Sequence, residues 1–133
     1  KNQFPKQVHY VVGNHELAQW TDRPVMKADE NQNVLFREGV HEAYGPKFGP
    51  QIYAAYMDLF QACPAVLRAP NGVLVSHSLP ATRSLAIFDP ARLERDAYSP
   101  EDLQPGGTVH SVVLFPADRP LTHPELVACV QTL

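Results

Sequence analysis

Thirteen of the 133 residues are proline, about twice the average share. Each proline removes a backbone donor and fixes φ, so it opens or closes an element and rarely sits inside one. The chain is therefore expected to fold as short elements joined by turns, and a pure helix bundle is excluded. Hydrophobic residues make up 44% and charged residues 19%, which gives enough apolar material for a core and argues against a disordered chain. The length suits one domain. No apolar run reaches the roughly 18 residues of a membrane span.

Between the prolines, Val8-His9-Tyr10-Val11-Val12 reads as a buried strand stopping at Gly13. Asn14 to Ala18 reads as a short helical stretch, and Thr21 to Asn33 as a loop containing Pro24. A short helix over Asn33 to Ala43 is ended by Gly45-Pro46. The clearest helix is Gln51 to Cys63, with Ile52, Ala55, Tyr56, Leu59 and Phe60 near a 3.6 period and Pro64 as its stop. Tyr53, Tyr56 and Phe60 are read as core packing. Ala65 to Arg68 and Val73 to Ser76 flank Pro70-Asn71-Gly72 and predict a β-hairpin. Pro90 to Tyr98 suits a helix with proline in its first turn. Gln104 to Gly107 is a loop, Val109 to Phe115 a strand, and Thr122 to Leu133 a helix. Alternating strands and helices give the α/β class.

Net charge is −3. A nucleic-acid binder usually carries a basic excess, and none is present. An anionic ligand would need local positive charge, such as a metal. Two cysteines, Cys63 and Cys129, make no disulfide framework, so reduced thiols and a cytoplasmic location are the default. The first residue is Lys1 and no signal-peptide pattern follows.

The residues with the clearest chemical pattern are Gly13-Asn14-His15-Glu16, directly after an apolar run, and His77, directly after Val73-Leu74-Val75-Ser76. Ligands of α/β folds bind beyond the carboxyl ends of strands, so two strand-end histidines are candidates for one pocket. Imidazole and amide oxygen both suit borderline metals. His9, His41, His110 and His123 match no pattern. Arg68, Arg83, Arg92 and Arg95 are of the type that clamps phosphate, but solvated surface is their default role. Ser76 and Ser78 have no acidic partner or Gly-x-Ser-x-Gly context for hydrolase work.

The Gly-Asn-His-Glu run resembles the motif of calcineurin-like metallophosphoesterases. The order from about Val8 to Pro80 resembles their serine/threonine phosphoprotein-phosphatase branch: a helix closing on Ala62-Cys63-Pro64, then a hairpin whose second strand ends in His77-Ser78-Leu79-Pro80. That resemblance implies a mixed-sheet sandwich flanked by helices. It implies two divalent metal ions (Mn, Fe or Zn) that activate a water against a phosphate ester. Asn14 and His77 would be metal ligands and His15 the general acid, with Gly13 and Glu16 supporting the loop. The substrate would be a phosphoprotein or a small phosphoester.

The sequence departs from that family in several places. No Asp-x-His occurs anywhere, and the Gly-Asp-x-x-Asp-Arg-Gly and Gly-His-x-His patterns are missing. Ser78 stands where the family has glycine. Asn14 and His77 make two ligands where a metal needs four or more. The expectation is therefore a central fragment of a longer phosphoesterase, carrying part of the site and self-associating through exposed strand edges. The alternative from another class is a metal-free, non-catalytic α/β module for binding or assembly.

Overall fold

A computed structural model describes residues 3, 6–81, 84–85 and 87–113. Over these residues the fold is mixed α/β, about half helical, with two small antiparallel sheets. It divides into two compact units: Asn14–Cys63, and a second made of Lys1–Gly13 together with Pro64–Leu133.

The Asn14–Cys63 unit begins with α1, Asn14–Trp20, which buries Leu17 and Ala18. Thr21 follows, its N–H and hydroxyl both donating to the Leu17 carbonyl at 2.9 and 2.7 Å. The stretch read as a loop contains a tight hairpin, β1 Met26–Lys27 against β2 Glu30–Asn31. Ala28 and Asp29 turn it, both at positive φ. That geometry was hidden because only Asp tolerates the left-handed region at low cost, and Ala carries no such signal.

Next comes α2, Gln32–Gln61, capped by the Asn31 side chain, which accepts from the Asn33 N–H. It is two helices in one. Gly45 breaks it at φ 71° and ψ 174°, a backbone state open chiefly to glycine, and Pro46 follows. The stop read at Gly45-Pro46 is therefore real, although the second arm starts at once instead of waiting for Gln51. The chain folds back there. The Phe36 ring of the first arm meets Tyr53, Tyr56 and Phe60 of the second at 6.1, 5.3 and 6.1 Å between centroids. His41 packs edge-on to Tyr53. Gly49 is buried where the arms come closest, and a Cβ there would lie 2.9 Å from the His41 Cα.

In the other unit the expected hairpin is present: β3 Val66–Arg68 pairs antiparallel with β4 Leu74–Ser76, with Leu67 opposite Val75. Neither strand is buried as expected for β4, and Val73 and Val75 stand about half exposed. A 3-10 helix, Pro90–Glu94, capped by Asp89, takes the place of the longer helix read from Pro90 to Tyr98. Two short helices follow, α3 Pro100–Leu103 and α4 Thr108–Val113. The core joins Val12, Ala65, Phe88, Leu103, Val109, Val112 and Val113, all buried.

Two expected strands are corrected. Val8 to Val12 has no regular secondary structure and joins no ladder, and its last residue is anchored by the Val12 N–H donating to the Pro64 carbonyl at 2.9 Å. A β-branched run needs a neighbour to become a strand, and none is offered among the described residues. Thr108 to Val113 is helical: the Ser111 N–H and hydroxyl both donate to the Gly107 carbonyl. Five of its six residues are buried, so no periodicity was visible to distinguish helix from strand. The helix read over Thr122 to Leu133 lies outside the described residues.

Candidate site at the start of helix α1

Gly13-Asn14-His15-Glu16 straddles the passage from an irregular segment into a helix. Val12 and Gly13 are buried, and Val12 is fixed to Pro64. Asn14 is the first residue of α1, with helical rather than left-handed backbone, and is half-buried. His15 is exposed. Glu16 is half-buried in the first turn, where a carboxylate favours the positive end of the helix. Leu17 and Ala18 are the buried residues of α1, and the His15 side chain is left to solvent.

His77 follows β4 directly and is exposed. Its neighbours are tied down. The Ser76 hydroxyl donates to the Ser78 carbonyl at 2.7 Å, and the buried Ser78 donates its N–H to the Val112 carbonyl at 2.8 Å. Asn14 and His15 belong to the Asn14–Cys63 unit and His77 to the other. Among the described residues no three His, Cys, Asp or Glu side chains form a group able to hold a metal ion. One amide oxygen and one imidazole are fewer donors than such an ion takes. The described residues therefore do not by themselves fit a dinuclear metal centre.

The arginine candidates are sorted by what they touch. Arg92 donates to the Asp102 carboxylate at 2.8 Å and lies 3.6 Å from Asp89. Arg95 lies 3.9 Å from Asp102. Arg92 is thus a structural cation. Arg68 is exposed on β3, and Arg83 lies outside the described residues.

Asp102 itself is fully buried. It forms a reciprocal cap with Ser99, whose N–H and hydroxyl donate to it at 3.1 and 2.9 Å, while the Asp102 N–H donates back to the Ser99 oxygen. Burial alone would raise its carboxyl, but hydrogen bonds from Arg92 and Ser99 outweigh that and hold it below its ordinary value. The same bond and charge raise the Arg92 guanidinium. Sequence reasoning missed this group, although Ser99-Pro100-Glu101-Asp102 carries the Ser-x-x-acid signature of a capped helix start.

The Asn14–Cys63 unit also has a polar cleft of about 160 Å³ lined by Gln19, Asp22, Asn31, Asn33 and Arg37, among others. Its floor is set by the buried Asn33, whose amide donates to the Arg23 carbonyl at 2.8 Å and accepts from the Val25 N–H at 3.2 Å. Gln19 donates to the Asn33 carbonyl and to the Tyr53 hydroxyl.

Comparison with protein-family models, with curated proteins and with solved structures gave no match.

Proposed function

We propose that this chain is the middle part of a metal-dependent phosphoesterase of the calcineurin-like kind, contributing some but not all of its site. The observation that carries the reading is the Gly13-Asn14-His15-Glu16 turn. A buried glycine ends an apolar segment without regular secondary structure, Asn14 opens a helix, and His15 reaches solvent. An exposed imidazole at such a turn suits a general acid that protonates the leaving oxygen of a phosphate ester. Asn14 and His77 are the chain's metal-ligand candidates. The remaining donors, and the sandwich itself, would need residues beyond these 133.

The test uses the full polypeptide that carries this sequence, supplied with Mn, and follows hydrolysis of p-nitrophenyl phosphate. His15→Ala is expected to lower kcat by about 10²- to 10⁴-fold, the usual worth of a general acid. His77→Ala is expected to lower bound metal. Residues 1–133 alone are expected to turn over little. Silence of the full polypeptide with Mn, Fe and Zn would sink the enzyme reading, and robust activity of the 133 residues alone would sink the partial-site reading.

A second reading, a metal-free binding or assembly module, is favoured by one observation. The cleft lined by Asp22 and Arg37 has a floor fixed by buried hydrogen bonds. Binding of a small polar ligand there, unaffected by His15→Ala and by chelators, would support it.

A further inference from the structure

The loop between β3 and β4 is built tightly. The Gly72 N–H donates to the Ala69 carbonyl at 2.9 Å, and the Ala69 N–H donates to the Val73 carbonyl at 2.8 Å. Gly72 has φ 84°, so the position is made for glycine. Pro70, Asn71 and Gly72 are all exposed. The Asn71 Oδ1 accepts from the Val73 N–H at 3.2 Å, which turns the carboxamide along the chain that follows it.

We propose that Asn71 is a site of spontaneous deamidation. When the turn opens and the Gly72 N–H leaves the Ala69 carbonyl, the nitrogen loses its proton to water or hydroxide and attacks the Asn71 Cγ. A C–N bond forms, the Cγ–Nδ2 bond breaks as Nδ2 takes a proton from water, and ammonia leaves, giving a five-membered succinimide. Water then opens the ring at either carbonyl to give aspartate or isoaspartate. Glycine matters because no Cβ shields the attacking nitrogen once the turn opens; the residue is exposed, and a Cβ built on Gly72 would meet nothing within 4 Å.

The other asparagines differ. Of five in the chain, Asn71 alone precedes glycine. Asn33 is buried with both ends of its amide bound. Asn31 caps α2, and Asn14 lies within α1 with His15 after it. The product has consequences for the hairpin. Isoaspartate routes the main chain through Cβ and Cγ, inserting one backbone carbon into a turn that sets the Arg68–Leu74 register. Either product adds a negative charge.

The test is to hold the full chain in mildly alkaline buffer and follow each asparagine by peptide mass mapping, with ion exchange to separate the more acidic product. Asn71 is expected to convert first. Gly72→Ala is expected to slow it about tenfold, since the new Cβ blocks the nitrogen. Because alanine is strained at that φ, Asn71→Gln serves as a second variant: its longer arm closes a six-membered ring more slowly, and the early acidic product should vanish. In the isoaspartate fraction, hydrogen exchange at the Ala69 N–H should rise. Survival of Asn71 while Asn14 or Asn31 converts, or an acidic product formed equally fast in both variants, would overturn the proposal.

Discussion

At the scale of single residues, the largest energetic stake is Asp102. A fully buried carboxylate is tolerated only with partners, and here Arg92 and Ser99 supply them. Asp102→Ala removes the cap and leaves Arg92 with Asp89 as its remaining acidic partner among those described. Because Arg92 is 39% exposed, the expected loss is about 2 kcal/mol, below the ~3–5 of a fully buried pair. Denaturant unfolding checks it. The pH dependence has a definite sign. The carboxyl is held below its unfolded value, near 3.9 for a free aspartate, so its contribution is complete above that value. It is lost as pH falls toward and through the lowered folded-state value. Unfolding midpoints measured from neutral to strongly acid pH should fall, and the fall should be shallower in Asp102→Asn. An equally steep fall in Asp102→Asn would remove Asp102 as the cause.

At the scale of elements, α2 is decided by two glycines with different tasks. Gly45 turns the chain with a positive φ, and Gly49 lets the arms approach. An alanine at Gly49 puts its Cβ against the His41 backbone, which cannot rotate away as a side-chain tip can. Gly49→Ala is therefore expected to cost about 1–3 kcal/mol as the arms are pushed apart. Thermal unfolding checks the cost. Near-ultraviolet circular dichroism should register altered packing around Tyr53, which His41 abuts. An unchanged Tm and aromatic signal would mean the arms separate without resistance.

At the scale of the molecule, both sheets have two strands, and among the described residues no third strand joins either. A lone hairpin is marginal, and its open edges are templates for another chain. With Val75 on β4 and Val73 just before it both about half exposed, self-association through this hairpin is proposed. Sedimentation should show mass rising with concentration, and Val75→Lys should lower it. A single monomeric species for the unsubstituted chain at high concentration would end that proposal.

The sequence by itself determined the punctuation. Gly45-Pro46, Pro64 and Asn71-Gly72 were legible because a proline or a left-handed glycine imposes its backbone locally, whatever surrounds it. It also marked Asn14, His15 and His77 as the residues with chemistry to offer. Tertiary structure decided what local rules leave open. Val8 to Val12 and Val109 to Val113 are both short valine-rich segments, and only their neighbours settled that one joins no ladder and the other winds into a helix. The burial of Asp102, the committal of Arg92 to it and the exposure of Val75 were equally invisible in the sequence, because burial and ion pairing depend on residues far apart in the chain coming together.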